Sequence, residues 1–181
     1  MVARISVGKN LYGALAYNQN KVDEGGAKIL SAHLLRYPED GRFRPDESVR
    51  QFLEWMPNHY RTEKPVIHIS LNPHPDDVLT DGQLAEIGRE YMQRLGYGNQ
   101  PYLVFKHEDI GRHHIHIVSL RVDSEGRKVS DKFEYRRSKE ITELLEQKYG
   151  LHPAEGRKKG EEWQLKPVDV AKGDIKRQIA C

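Results

Sequence analysis

The spacing of two apolar segments constrains the fold of this chain more than any other feature. Residues 102–107 (Tyr-Leu-Val-Phe-Lys-His) and residues 114–121 (His-Ile-His-Ile-Val-Ser-Leu-Arg) have the composition and alternation of β-strands. Only residues 108–113 separate them, which is too short a connection for the crossover that parallel neighbours require. The two segments are therefore predicted to form an antiparallel hairpin.

Further strands and helices are predicted from the spacing of apolar residues along the chain. Strands are predicted at residues 2–7 and 65–71, with a short strand or turn at 27–30. Helices are predicted at residues 11–18, 46–59, 81–95 and 138–149. Because helices are interspersed with strands whose last pair is antiparallel, the predicted class is α+β. The expected architecture is an antiparallel β-sheet with helices packed on its faces, in a ferredoxin-like arrangement.

The hairpin carries a group of histidines that can converge on one point. His114 and His116 share a strand face because side chains alternate along a strand, and His107 at the end of the preceding strand would lie beside them. Imidazole binds first-row divalent metals. The same face continues as Val118, which favours a metal site over a solvated polar face. His113 is an alternative ligand, although the alternation favours His114.

The composition excludes several classes of protein. The only cysteine is the last residue, so an intramolecular disulfide framework is excluded and a cytoplasmic location is predicted. No apolar segment approaches the roughly 18 residues of a transmembrane helix. The net charge of +2 does not by itself indicate a nucleic-acid-binding protein. Residues 151–181 are rich in Lys and Arg and are predicted to form a basic C-terminal arm or a solvated tail. The last residues resemble the start of a further helix, so a longer protein is expected.

The pattern of histidine, hydrophobic residue, histidine on a strand resembles the HUH endonucleases. With His107 upstream and a tyrosine near the N-terminus, it is most similar to the relaxases that mobilise plasmids and conjugative transposons. Residues 66–80 and 107–116 resemble the second and third motifs of the P-type mobilisation relaxases. The resemblance spans residues 3–149 and implies a relaxase domain at 1–150. It also implies nicking and rejoining of single-stranded DNA at an origin of transfer by tyrosine transesterification, through a covalent 5′-phosphotyrosine.

The resemblance implies a tyrosine nucleophile near the N-terminus. Tyr12 and Tyr17 are five residues apart, about 140° around a helix, so they cannot both face one site. Tyr17 is favoured because its neighbours are polar and because Lys21, one turn further on, could stabilise a phenolate or a phosphate. A tyrosine hydroxyl is mostly protonated at neutral pH and needs help to attack. A nearby metal ion is the expected source of that help.

Three residues are predicted to support the site without holding the metal. Asp109 is a candidate partner for a ligand imidazole or a base for the nucleophile, with a solvated loop carboxylate as the alternative. Glu108 is likewise predicted to orient an imidazole N–H. His68 shares a strand face with polar Ser70 and is predicted to hydrogen-bond near the metal, with a structural histidine as the alternative.

Basic residues are predicted to contact the DNA backbone. Arg112 suits a phosphate oxygen, or else a surface ion pair with Glu108. Lys132, Arg136 and Arg137 follow the last hairpin and could track a single strand, with the aromatic residues between them offering a stacking surface.

The expected cofactor is a divalent metal, Mn²⁺ or Mg²⁺ in the cell, with Ni²⁺, Co²⁺ or Zn²⁺ binding in vitro because nitrogen ligands suit them. The expected partners are single-stranded DNA with an origin-of-transfer hairpin and nick site, accessory mobilisation proteins and a coupling protein.

Three alternative functions remain: a rolling-circle replication initiator, a non-catalytic metal- or DNA-binding module, and a cupin-like oxygenase. A tyrosine that precedes the histidines favours the relaxase, and predicted helices disfavour a cupin.

Overall fold

The computed structural model describes residues 1–40, 42–108 and 111–154. Within them strands and helices alternate along much of the chain. In chain order the elements are β1 (Val2–Gly8), α1 (Leu11–Asp23), β2 (Ala27–His33), α2 (Pro45–Trp55), β3 (Val66–Asn72), α3 (Asp81–Leu95), β4 (Tyr102–His107), β5 (His114–Leu120) and α4 (Glu134–Tyr149). The predicted C-terminal arm lies outside the described residues from residue 155 onward.

The five strands form one sheet in the order β1-β3-β5-β4-β2, and every neighbouring pair is antiparallel. The predicted hairpin is β4–β5, and its register pairs His107 with His114. The central strand β5 therefore has partners on both sides, and six of its seven residues are buried. The predicted α+β class with an antiparallel sheet is confirmed.

Helices cover both faces of the sheet because apolar side chains alternate along its strands. On one face, Phe105 and Val118 pack with Leu15 of α1 and with Phe52, from α2. Burying a side chain such as Phe52 contributes about 1.5–3 kcal/mol. The opposite face packs against α3 and α4. The first face carries the histidines, so α1 and α2 form the wall nearest to them.

Local sequence signals predict the ends of α3 correctly but not those of α2. Thr80 caps α3 in a capping box with Gln83, and Gly96 ends the helix with φ of 105°, both as the residue types predict. Helix α2 spans Pro45–Trp55 instead of the predicted residues 46–59. That helix begins at Pro45, because proline is pre-organised for the first helical position, and it follows Arg44 without a side-chain cap.

Three other elements are longer than predicted. Helix α1 continues past residue 18 to Asp23, β2 is a full strand that pairs with β4, and α4 begins at Glu134 rather than at residue 138. In the part of the chain that the structure describes, no helix combines the length and the apolar character needed to cross a bilayer.

Candidate metal centre

Three imidazoles meet where β4 ends and β5 begins. The register pairs His107 with His114, and alternation along β5 brings His116 to the same face. One ring nitrogen from each histidine lies within 4.8 Å of the other two. Two nitrogens bound to one tetrahedral zinc-type ion lie about 3.4 Å apart, so small ring rotations bring all three to a common ion. These residues could hold a divalent metal, and the buried His114, not the exposed His113, belongs to the cluster.

The cluster lies at the boundary between core and solvent. His107 is 1% exposed and His114 is 6% exposed, whereas His116 is half-buried. Phe105 and Val118 continue the same face into the core. Because the apolar side chains exclude water from one side, electrostatic interactions at the cluster are stronger than in bulk solvent. The solvent side remains open to a ligand.

A cavity of about 600 Å³ opens on the β1–β3 side of the cluster. Part of its lining is a row of residues paired across three strands: Arg4 pairs with Ser70, and Ser70 pairs with His116. Arg4 and His116 thus lie on one face of the sheet, about 10 Å apart across two strand spacings. The exposed Arg112 lines the cavity as well. Two guanidinium groups at a cavity that ends at the histidines suit the phosphates of a nucleic acid.

Tyr17 lies on the other side of the cluster, on α1. Its ring centroid is 6.2 Å from that of His107, with 24° between the ring planes, and the side chain is 51% exposed. Tyr12 is equally exposed, but among the described residues it makes no ring contact with a histidine. Lys21 lies in the last turn of α1 and is half-buried. Of the two tyrosines that the sequence left open, Tyr17 lies beside the histidines.

His68 of β3 supports His116, in the position that its strand face predicted. Its Nε2 lies 2.9 Å from Nδ1 of His116. Burial lowers the pKa of His68, and the neutral ring can accept a hydrogen bond from its neighbour. When Nδ1 of His116 donates to His68, the Nε2 atom of His116 is the nitrogen with a lone pair for a metal.

Glu108 is not placed where it was predicted. Its carboxylate pairs with Lys106 at 2.9 Å, and the hydrogen bond from Lys106 lowers the pKa of Glu108. Lys106 is turned to the opposite face of β4 from His107, because side chains alternate along a strand. The structure therefore gives Glu108 a lysine partner instead of an imidazole. Asp109 lies outside the described residues, so its predicted role stays a prediction.

The basic residues after the last hairpin are not brought to the histidines. Val129 bonds to the backbone of Arg121, just beyond the end of β5, and Arg137 bonds to the carbonyl oxygens of Leu95, Ser130 and Lys132. The histidines lie at the start of β5, about 20 Å away along the strand. Lys132 and Arg136 are exposed at this far end. Arg137 braces a turn, because its guanidinium donors are directed at carbonyl groups.

Two functional candidates escaped the sequence analysis. Arg4 reaches the cavity only through pairing between strands distant in sequence, so no local pattern reveals it. Asn18 is fully buried, with its Oδ1 2.8 Å from Nε2 of His107. A signal for Asn18 existed: with Leu11 and Leu15 it follows the i, i+4, i+7 spacing of the buried face of α1. A polar residue in an apolar stripe needs a buried partner.

The chain after α4 returns to the same cavity and is fastened there. The backbone N–H of His152 donates to both oxygens of Asp77 at 3.2 Å, and its Nδ1 lies 2.5 Å from Oδ1. The ring of His152 stacks on His74, which lines the cavity together with Ala154. We call the His152–Asp77 pair the clasp. It holds the segment whose Ala154 forms part of the cavity wall.

The clasp is expected to be strongest in mildly acidic solution. The hydrogen bond and charge of Asp77 raise the pKa of His152, whose contribution is complete below about pH 6.5 and is lost as pH rises through the raised value. Burial opposes the shift of Asp77, but its bonds to His152 lower its pKa, so its contribution is complete above about pH 4 and is lost at more acidic pH. His74 and Asp76 are the other titratable neighbours.

NMR titration of the His152 ring checks this prediction. The pKa of the ring is expected to lie above its ordinary value in the unaltered protein and to be lower in Asp77→Asn. The substitution removes the negative charge and replaces one acceptor oxygen by an NH₂ group. Asp76→Asn is the matched control and should change the titration less. Identical titration curves for the unaltered protein and Asp77→Asn would refute the clasp.

The antiparallel sheet with a histidine cluster at one end of its central hairpin is consistent with the fold of the HUH-type nucleases. The family model described as "Relaxase: MobA/VirD2-like, nuclease domain" matches residues 17–151. The chain belongs to this family of relaxase nuclease domains. Membership indicates a metal-dependent nuclease that acts on single-stranded DNA. No curated protein matches the chain.

Proposed function

We propose that this protein nicks one DNA strand at an origin of transfer and later rejoins it, through a covalent 5′-phosphotyrosine at Tyr17. The observation that carries the proposal is the meeting of three imidazoles, from His107, His114 and His116, with the ring of Tyr17 beside them. A phenol next to a cluster that can hold a cation is what attack on a phosphodiester requires.

The proposed step exchanges one phosphodiester for another. The Oη atom of Tyr17 attacks the scissile phosphorus, an Oη–P bond forms, and the bond from phosphorus to the 3′-oxygen breaks. The phenol proton passes to a base, for which Asp109 and solvent water are the candidates, and the leaving 3′-oxygen takes up a proton. Because the phosphotyrosine keeps the energy of the broken bond, a returning 3′-hydroxyl can reverse the step and rejoin the strand.

The histidines define what a bound ion would contribute. A divalent cation held there supplies Lewis acidity to a non-bridging phosphate oxygen. Neutral imidazoles leave the full positive charge of the ion facing the phosphate, which carboxylate ligands would partly cancel. Nitrogen ligands favour Mn²⁺, Co²⁺, Ni²⁺ and Zn²⁺ over Mg²⁺ by affinity, and we propose Mn²⁺ or Mg²⁺ as the working ion because of cellular supply.

The two sides of the histidine cluster suggest how the strand runs. In-line displacement places the attacking and the leaving oxygen on opposite sides of the phosphorus. Tyr17 lies on the β4 side, next to His107, whereas the cavity with Arg4 and Arg112 lies on the β1–β3 side. The strand that ends in the leaving 3′-oxygen therefore occupies the cavity, and the strand that becomes attached to Tyr17 leaves past α1.

Doubly labelled oligonucleotides test the proposed function. Single-stranded origin sequences carrying one dye at the 5′ end and another at the 3′ end are incubated with the protein and Mn²⁺, then denatured. We expect a protein band that keeps the 3′ dye alone, together with a free fragment that carries the 5′ dye. A band with the 5′ dye would reverse the polarity, and two free fragments without an adduct would indicate simple hydrolysis.

The wider setting is also proposed from the family. We propose P-type relaxase membership, action on plasmid or transposon DNA in the cytoplasm, recognition of a hairpin beside the nick site, and cooperation with accessory mobilisation proteins and a coupling protein. A basic arm at residues 151–181 would add contacts to DNA, since Ala154 already borders the cavity.

Arg4 and Arg112 are expected to set the salt dependence of binding to short DNA. Removing one basic side chain from a DNA phosphate lowers the slope of log affinity against log salt by about 0.7 for a single strand. The double variant Arg4→Ala/Arg112→Ala should therefore lower the slope by about 1.4 when binding of an oligonucleotide ending at the nick is measured by fluorescence anisotropy.

The double variant Lys132→Ala/Arg136→Ala is the matched control, because it removes the same charge at the far end of the sheet. It should leave the slope for this short oligonucleotide unchanged. If the slope fell in the control but not in the Arg4 and Arg112 variant, the DNA would bind at the α4 end of the sheet. That result would support the binding residues predicted from the sequence.

A further inference from the structure

Helix α1 presents two consecutive residues to the histidine cluster in different ways. Tyr17 is half exposed and stacks on His107, whereas Asn18 is fully buried between the helix and the sheet. Asn18 takes a place in a stripe that otherwise holds Leu11 and Leu15. A buried amide in such a stripe is destabilising unless its polar atoms are hydrogen-bonded. Both polar atoms of the Asn18 side chain have partners.

The two hydrogen bonds of Asn18 fix which way its amide points. The Nδ2 atom donates to the carbonyl oxygen of Ala14 at 2.8 Å, and a carbonyl can only accept. Oδ1 is therefore the atom that faces His107, at 2.8 Å from Nε2. Because Oδ1 has no hydrogen, Nε2 of His107 must carry the proton. In the neutral ring the lone pair then belongs to Nδ1.

His116 has the opposite arrangement. Its Nδ1 lies 2.9 Å from Nε2 of His68, so Nδ1 is engaged in this hydrogen bond and Nε2 is the nitrogen that a metal would use. We propose that Asn18 is a positioning residue of the metal centre, which holds His107 in the Nε2–H form so that Nδ1 of His107 binds the divalent cation. The inference rests on the proposed function, because it requires that the cluster binds a metal.

Helix α1 then has two functions. The helix that carries Tyr17 also orients a metal ligand through the next residue, so the position of the phenol and the orientation of the ligand change together. Removing a hydrogen-bond partner of a ligand histidine lowers metal affinity by about 10–100-fold. We expect a loss of this size when the Oδ1 acceptor of Asn18 is removed.

The coordinated nitrogen is measured directly by NMR. The protein, labelled with ¹⁵N at histidine and loaded with diamagnetic Zn²⁺, is studied by long-range ¹H–¹⁵N correlation, with assignments from single His→Gln variants. We expect His107 to be bound through Nδ1 with a proton on Nε2, and His116 to be bound through Nε2 with a proton on Nδ1. Coordination of His107 through Nε2 would overturn the proposal, whatever the nuclease activity.

Substitutions test the same proposal by affinity, measured as Zn²⁺ competition against a chromophoric chelator. Asn18→Leu keeps the buried volume but removes the acceptor, and it should bind Zn²⁺ about 10–100-fold more weakly. Asn18→Asp keeps an acceptor oxygen and should bind at least as tightly as the unaltered protein. Gln19→Ala is the control, because Gln19 is also buried on α1 but bonds to Asp23.

The outcomes separate this inference from the proposed function. Unchanged Zn²⁺ affinity in Asn18→Leu, with the ion still bound by the three histidines, would overturn the role of Asn18 alone. Equal losses in Asn18→Leu and Gln19→Ala would also overturn it, since the effect would then come from a general disturbance of α1. Failure of the unaltered protein to bind Zn²⁺ at all would contradict both the metal centre and the inference.

Discussion

Replacing Tyr17 by phenylalanine is expected to abolish the covalent protein–DNA adduct. The variant keeps the ring that stacks on His107 but has no oxygen with which to attack phosphorus. Loss of a covalent nucleophile lowers turnover by at least about 10³-fold. Because the ring remains, DNA binding should stay within about twofold, since one exposed hydroxyl contributes little. The measurement is the adduct band on a denaturing gel with labelled single-stranded DNA and Mn²⁺.

Tyr12→Phe is the matched control for this prediction. Tyr12 is on the same helix and is equally exposed, but within the described residues no ring contact joins it to the histidines. The variant should form the adduct at the unaltered rate. Adduct formation that survives in Tyr17→Phe and disappears in Tyr12→Phe would exchange the two assignments.

Replacing His114 by alanine is expected to remove both metal binding and nicking. Removal of a ligand should weaken binding by more than the 10–100-fold that follows removal of a supporting hydrogen bond, so a reduction beyond about 100-fold is expected. Calorimetric titration with Mn²⁺ measures the affinity, and the adduct assay measures the activity. Chelation of the metal in the unaltered protein should stop nicking, and added Mn²⁺ should restore it.

His113→Ala is a sharp control for the register of β5. His113 and His114 are adjacent, but His113 is exposed in the loop, whereas His114 is buried and belongs to the cluster. His113→Ala should bind Mn²⁺ with unaltered affinity. If it lost the metal while His114→Ala retained it, the strand register and the proposed ligand set would both be wrong.

The hairpin and its histidines could be predicted because they depend on local rules. The short connection between β4 and β5 dictated antiparallel pairing, and alternation put His114 and His116 on one face. The same rules indicated His68, because its strand face was readable from its neighbours. Tyr17 could be favoured over Tyr12 as the nucleophile because its sequence neighbours are polar.

The remaining site residues depend on contacts between distant segments. Arg4 reaches the cavity through pairing of β1 with β3, which no local pattern reveals. The spacing of Asn18 with Leu11 and Leu15 placed it on the buried face of α1, but its contact with His107 depends on how α1 packs on the sheet. Glu108 was predicted to orient an imidazole, but it pairs with the oppositely charged Lys106. The distance of Lys132 from the histidines could not be predicted, because the position of the α4 N-terminus follows from the tertiary arrangement.

The decisive experiment identifies the residue that becomes attached to DNA. The adduct formed with an origin oligonucleotide is digested with nuclease and protease, and its peptides are sequenced by mass spectrometry. We expect a nucleotide joined to Tyr17 through its 5′-phosphate, and no such group when the metal is chelated before DNA is added. A phosphonucleotide on any other residue, or the same adduct with the metal removed, would contradict it.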